Sequence, residues 1–255
     1  MQVFKDYAKY YDLLYQDKDY QKEVEYLDNL IKKYSLNFKS ILELGSGTGK
    51  HAILLSKKGY NLVGVDFSSS MVELAQKRLA KENIDDSKIR FLVGDVREVK
   101  LENKFDVVLS LFHVVSYMTT NADIIKMFKT VYDHLNKDGI FIFDCWYGPA
   151  VLANKPEKRI KELENDFLKL KRFATPVHEI NENLVDVKYD ILLQDKILLK
   201  DFSFDETHKM RYLFKPELEV FFEACGLKLL KSEEWLTKKE LSQDTWGACF
   251  VCRKL

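Results

Sequence analysis

The sequence predicts an α/β fold: a mostly parallel sheet with helices packed on both of its faces. Three observations predict it. Between residues 40 and 146, short apolar runs alternate with amphipathic stretches long enough to carry the chain back to the start of the next run. The runs are apolar on successive residues, as strands buried on both faces must be. A glycine-rich turn joins the first run to the first amphipathic stretch, at the sheet end where open α/β sheets bind ligands.

Taken in order, residues 1–37 read as a helical lid, because Val24, Leu27, Leu30 and Ile31 recur at helical spacing with charges between them. The aromatic crowd of Phe4, Tyr7, Tyr10, Tyr11, Tyr15 and Tyr20 either packs that lid on the core or closes over a ligand. A strand is expected over 41–44, a helix over 48–58 ended by Gly59, and a strand over 60–66. A helix over 68–81 follows, with Ser68 as its N-cap, then strands over 89–93 and 105–111. A helix over 121–135 and a strand over 139–146 complete the core's first part, 38–146.

Residues 147–215 break the rhythm. Val185, Val187, Tyr189 and Ile191 alternate with Asp186, Lys188 and Asp190. His208, Met210, Tyr212 and Phe214 alternate with Lys209, Arg211 and Leu213, and 198–204 lies between the two runs. Period-two patterning predicts antiparallel strands with one wet face, a small β-rich insertion. Pro149, Pro156 and Pro176 mark turns in its early part. The core resumes at 216–255: a helix opened by Pro216 and closed before Gly226, then strands over 227–235 and 245–253 as a hairpin at the sheet edge.

Composition bounds the function. The 255 residues carry 40 basic and 40 acidic side chains, so broad electrostatic attraction to nucleic acid or acidic lipid is not expected. No basic run is interleaved with aromatics. The longest apolar-rich run, 105–118, is broken by Asp106, Ser110, His113 and Ser116 and falls short of the roughly 20 residues that cross a bilayer. Charges near the first residue stand where a signal peptide needs an apolar stretch, so a cytoplasmic location is expected. Cys249 and Cys252 have C-x-x-C spacing, but on a strand they point to opposite faces and read as packing, with no metal expected; Cys145 and Cys225 add no second pair.

The strongest chemical signal is Glu43-Leu44-Gly45-Ser46-Gly47-Thr48-Gly49. Glycine permits positive φ and close approach of a ligand to backbone N–H groups at a helix start. A P-loop fails here, because Gly45 and Gly49 are four apart and His51 follows Lys50. A dinucleotide fingerprint is weakened, because Lys50 occupies the place of its third glycine. An E-x-G-x-G-x-G loop suits a ligand with an amino-acid end, with Glu43 placed to attract an ammonium directly or through water. Asp66 ends the second strand, 21 residues after Gly45, where a carboxylate accepts from a ribose diol or merely caps the next helix. Gly94-Asp95-Val96, past the third strand, offers an acid and an N–H to an adenine ring.

With these residues the chain resembles the class I S-adenosylmethionine-dependent methyltransferases across residues 40–146. The resemblance implies a Rossmann-like seven-stranded sheet with an antiparallel final strand. It places Gly45 and Gly47 beside the methionine moiety, Asp66 on the ribose, and Met71, Asp95 and Val96 around the adenine, with Glu43 and Leu111 completing the cofactor set. Tyr10-Tyr11-Asp12, Tyr15, the phrase Phe143-Asp144-Cys145-Trp146-Tyr147-Gly148-Pro149 and the stretch His208-Lys209-Met210-Arg211-Tyr212 look like the small-molecule branch that includes the amino-sugar N,N-dimethyltransferases. That likeness implies that lid and insertion cover the acceptor pocket, and that Tyr11 and Tyr15 reach the carboxylate end of S-adenosylmethionine.

Methyl transfer is attack of a nucleophile on a sulfonium methyl, so the protein supplies alignment, exclusion of water and a proton acceptor. His113, just past the fourth strand, is the best-placed base. Glu206 and His208 are the other catalytic candidates; they share a strand face with Met210 and Tyr212 and either line the pocket or form a water-solvated rim, while Arg211 points the other way. Trp146 and Tyr147 are candidate walls, and His51, His134 and His178 carry no assigned role. Ser110-Leu111-Phe112-His113 stands where a DNA amino-methyltransferase would carry an acidic or Asn-Pro-Pro-Tyr/Phe motif, which speaks against base methylation. The expected activity is methylation of a small sugar or amine, nitrogen ahead of oxygen, by a monomer or homodimer. A non-catalytic S-adenosylmethionine-binding module and a nicotinamide oxidoreductase are the alternatives.

Overall fold

The computed structural model describes residues 8–35, 39–82, 84 and 86–255. Phe4 and Tyr7, and the ends of the expected 1–37 lid, lie outside the described residues. Two helices open the described chain, α1 (Ala8–Leu14) and α2 (Tyr20–Tyr34), the second capped by Asp19, whose Oδ1 accepts from Lys22 N at 2.9 Å. The core then alternates β1 (Ser40–Leu44), α3 (Lys50–Lys57), β2 (Asn61–Asp66), α4 (Ser69–Leu79), β3 (Ile89–Val93), β4 (Phe105–Ser110), α5 (Asn121–His134) and β5 (Leu135–Trp146). Helix α3 starts two residues later than its apolar pattern predicts. Gly49, its N-cap, sits at a φ of 75°, outside helical space. Strand β5 starts four residues early, because Phe105 pairs with Leu135 before the register shifts and Val107 pairs with Ile140.

The insertion comprises α6 (Gly148–Ala153), β6 (Arg159–Glu164), β7 (Leu168–Glu179), β8 (Leu184–Asp195) and β9 (Lys200–Arg211). The chain closes with α7 (Lys215–Ala224), β10 (Leu227–Glu234) and β11 (Gly247–Lys254). Seven strands form the main sheet in the order β10-β11-β5-β4-β1-β2-β3. Strands β1 to β5 run parallel, and β11 is antiparallel to both β5 and β10. The strand order reverses between β1 and β4, which opens a crevice at their carboxyl ends.

Each strand divides its side chains between two cores. Ile41, Val107, Ile140 and Val251 pack under α2, α3 and α4, while Leu42, Val108, Phe141 and Phe250 pack under α5 and α7. Cys249 belongs to the first core and Cys252 to the second, opposite faces of β11.

The insertion departs from its pattern in three places. Strands β6 and β7 stand where the sequence suggested only turns: β6 has no buried residue and is held by pairing with β7 and by Lys171–Glu162 at 2.7 Å. The run expected over 208–214 is the end of a longer strand: the turn at Asp195, whose Oδ1 accepts from the Ile197 and Leu198 N–H groups, feeds directly into β9, which takes in most of 198–204 and ends at Arg211. Pro176 is tolerated within β7 because β6 pairs only as far as Ala174, so that stretch of β7 needs hydrogen bonds on one side alone.

Two apolar seams tie the parts together. Tyr10, Leu13 and Leu14 of α1 meet Met71 of α4 and Leu170, Ile191 and Leu193 of the insertion. Val151, Val185, Val187 and Tyr212 meet Trp146 and Trp246. Among the described residues no helix is long and apolar enough to cross a membrane.

Candidate active site

A cavity of about 500 Å³ lies at the carboxyl ends of β1 to β4, roofed by α1 and by β8 and β9 of the insertion. Its floor is the glycine loop. Gly45 has a φ of 81° and a Cβ there would collide with the Val114 side chain; Gly47 has a φ of 53° and nothing within 4 Å of where its Cβ would stand. The Gly45 and Ser46 N–H groups donate to Val65 O at 2.7 and 3.0 Å, so the loop is tied to the end of β2.

Asp66 braces the same loop: Oδ2 accepts from Gly47 N at 2.8 Å and Oδ1 from Ser68 N at 2.9 Å. Burial raises its carboxyl above the usual range against these two donors. Asp95 lies beside it on the cavity wall, held by Arg97 through Nε at 2.9 Å and Nη2 at 2.6 Å, contacts that lower its carboxyl. Met71, Val96, Leu111, Tyr11 and Tyr15 line the cavity as well. Tyr20, one of the N-terminal aromatic crowd, lines it too, as do Arg97 and Lys50, for which the sequence suggested no binding role.

Glu43 departs from the direct-contact reading. It is 1% exposed and does not line the cavity. Burial, reinforced by the Asp66 charge, pushes its carboxyl up to about 8, so it is mostly protonated at neutral pH. Its neighbour is His51, which does line the cavity and whose Nδ1 is 3.7 Å from Glu43 Oε1. His51 Nε2 lies 2.6 Å from Glu23 Oε2 on α2. Burial opposes ionisation of Glu23, but His51 and Lys18 outweigh it and hold the carboxyl at about 2. No partner for His51 was legible in the sequence because Glu23 comes from the preceding helix, 28 residues away.

Past β4 and at the end of β5 stand His113 and Trp146, which line the same cavity, their rings 6.5 Å apart. Phe112 and His113 are both left-handed, with φ of 63°, backbone strain that turns the chain sharply off β4. His113 Nδ1 lies 2.7 Å from Asp144 Oδ2, an ion pair only when the ring is protonated, and the His113 backbone N–H donates to the same oxygen at 3.2 Å. Asp144 is 2% exposed. Its signal was present in the sequence: a lone carboxylate in the apolar run 140–145 at the end of a central strand.

Glu206 and His208 are 8% and 4% exposed, so they are not a solvated rim. His208 lines the cavity, whereas Glu206 sits behind it. His208 Nδ1 is 2.7 Å from the Tyr117 hydroxyl, His208 Nε2 is 3.3 Å from Glu206 Oε2, and the Tyr10 hydroxyl donates to that carboxylate oxygen at 3.0 Å. Arg211 leaves the opposite face of β9 and pairs with Glu217 and Asn121. Tyr147 does not line the cavity, and His134 and His178 bond backbone carbonyls of Thr130 and Pro156 away from it.

Residues 41–139 match the family model described as a methyltransferase domain. The chain is 26% identical over 226 residues to the dTDP-3-amino-3,4,6-trideoxy-alpha-D-glucopyranose N,N-dimethyltransferase of Streptomyces venezuelae, covering 88% of this chain and 91% of that one. A crystal structure of an S-adenosylmethionine-dependent methyltransferase from Clostridium acetobutylicum superposes with a TM-score of 0.82 at 22% identity, covering 96% of each chain. The S-adenosylmethionine-bound amino pentose methyltransferase CalS10 of Micromonospora echinaspora gives 0.73 at 19% identity, covering 94% of this chain and 93% of that one.

Proposed function

We propose that this protein, an S-adenosylmethionine-dependent methyltransferase, methylates the amine of a small acceptor such as an amino sugar. The observation that carries the proposal is one continuous cavity lined by the glycine loop, Asp66 and His113, with the buried Asp144 behind His113. The residues suit the cofactor. Gly47 leaves open space along the loop, and Asp66 presents a carboxylate at the end of β2, where a ribose is held in open α/β sheets. Met71 and Val96 supply apolar walls, and Asp95 an acceptor, for an adenine. Tyr11 and Tyr15, brought down by α1, would close over the amino-acid end.

When bound, S-adenosylmethionine supplies an electrophilic methyl group on a positively charged sulfur. The chain's own work is to place the acceptor, keep water out and take up a proton. His113 would take the proton from the acceptor ammonium, with the Asp144 carboxylate beside Nδ1 stabilising the charged ring. The rings of Trp146, Tyr11, Tyr15, Tyr117 and Tyr189 line the cavity, an aromatic surrounding that suits a cation. That favours an amine over an alcohol, as do the names of relatives that act on amino sugars. Helix α1 and the insertion sheet, joined by their shared apolar seam, would shut out solvent.

Incubation with S-adenosylmethionine and a panel of amines, amino sugars and their hydroxyl counterparts, read by mass spectrometry, tests the proposal. Amines should gain methyl groups, and His113→Asn should lower turnover by roughly 100-fold while S-adenosylhomocysteine still binds. Binding of that product with no acceptor methylated would overturn catalysis in favour of a cofactor-binding module. Binding of NAD without it would point to an oxidoreductase.

A further inference from the structure

We infer that Tyr117 binds the acceptor by accepting a hydrogen bond from its nitrogen, with His208 and Glu206 as positioning residues that fix the direction of the Tyr117 hydroxyl. The inference rests on the reading of the cavity as a methyltransferase site with an amine acceptor, and it names the group that recognises that amine.

The argument runs inward from the buried end of the network. Glu206 Oε2 accepts from the Tyr10 hydroxyl, and Tyr10 is fully buried. A carboxylate has only lone pairs to offer, so the His208 nitrogen facing it, Nε2, must carry a proton. With the His208 ring neutral, which is part of the inference, the other nitrogen is then an acceptor. That nitrogen, Nδ1, is 2.7 Å from the Tyr117 oxygen, so the phenol must donate to it. With its one hydrogen directed at His208, the Tyr117 oxygen can act toward the cavity it lines only as an acceptor. Its complement is a group that donates, which for the amine acceptor proposed for this site is an N–H of a primary or secondary amine or ammonium.

The two histidines of the cavity thereby take different parts. His113, with Asp144 beside it, is the group that can receive a proton. His208 has both ring nitrogens engaged and cannot take one without breaking the chain, which removes it as a direct base. Tyr189 packs edge-on against the His208 ring at 5.1 Å and holds its plane. The network joins three parts of the fold: the lid through Tyr10, the insertion through Glu206 and His208, and the loop after β4 through Tyr117. An acceptor would meet an ordered oxygen only when all three are docked.

Two measurements on the full chain bound to S-adenosylhomocysteine test this. Long-range proton–nitrogen NMR of the histidine rings near neutral pH, with His208 identified by the signal lost in His208→Gln, should show the tautomer protonated at Nε2. A tautomer protonated at Nδ1, or an imidazolium, overturns the proposal without reference to any acceptor. Tyr117→Phe should raise KM for the best amine of the panel about tenfold while changing kcat and product affinity less than about threefold. An unchanged KM overturns the role of Tyr117. Failure of every amine to react would count against the proposed activity and would leave the tautomer measurement to decide the network.

Discussion

The Asp66 carboxylate accepts from the Gly47 and Ser68 N–H groups, so the residue that would hold the ribose also holds the loop beneath it. Asp66→Ala should therefore weaken S-adenosylhomocysteine binding by about 2–3 kcal/mol, the worth of hydrogen bonds to a charged acceptor, as calorimetry would show. Glu43 gives a prediction of opposite character. Its carboxyl titrates near 8 in the folded chain and near 4.5 in the unfolded one. Between those values the unfolded state has lost a proton that the folded state keeps, so this group's contribution to stability falls as pH rises through the window and is level above it. Glu43→Gln removes that dependence, and the Tm of the variant relative to the parent should climb from pH 5 to pH 8.5. A difference that stays flat would mean that Glu43 is ionised throughout. Asp66, Asp95 and His113 were legible in the sequence because each ends an apolar run at the same edge of the sheet. Tyr117 and His51 were not, because their meaning lies in partners 91 and 28 residues away.

At the scale of elements, the glycine loop separates two effects that a single substitution usually mixes. Gly45→Ala sets a Cβ against Val114 at a left-handed φ, whereas Gly47→Ala meets only the unfavourable φ. Gly47→Ala should cost about 1 kcal/mol of stability, and Gly45→Ala clearly more, in urea unfolding. Binding should show a second difference, since a methyl at Gly47 enters space the cofactor would occupy. Its product affinity should fall by more than its stability loss explains. The core strands were legible because burial on both faces leaves an apolar run with no competing pattern. Strand β6 was not, because an edge strand exposed to water along its length needs no apolar residue, and Arg159–Glu164 reads locally like a polar loop. The start of α3 was misplaced for the complementary reason: apolar periodicity extends into a turn whose glycine conformations forbid helix.

Over the whole molecule, the cavity is closed by two parts that touch each other as much as they touch the core. Helix α1 is held by Leu13 and Leu14 against Met71 on one side and Leu170, Ile191 and Leu193 on the other. Polar contacts add to it: Asp12 takes Arg78 and Lys50, Tyr10 reaches Glu206, and Lys161 donates to Leu14 O at 2.7 Å. None of these contacts passes through the paired strands β1 to β4, so loosening the seam should open the lid without unfolding the sheet. Leu14→Ala deletes buried side-chain volume at the centre of the seam, a loss of about 2–4 kcal/mol of local packing. Native-state hydrogen exchange should then show faster exchange in α1, β7 and β8, with β1 to β4 as protected as before. Affinity for S-adenosylhomocysteine should fall, because Tyr11 and Tyr15 arrive on α1 and the connection that follows it. Equal loss of protection in β1 would show that α1 unfolds only with the core, and the account of it as a separately opening cover would then be abandoned.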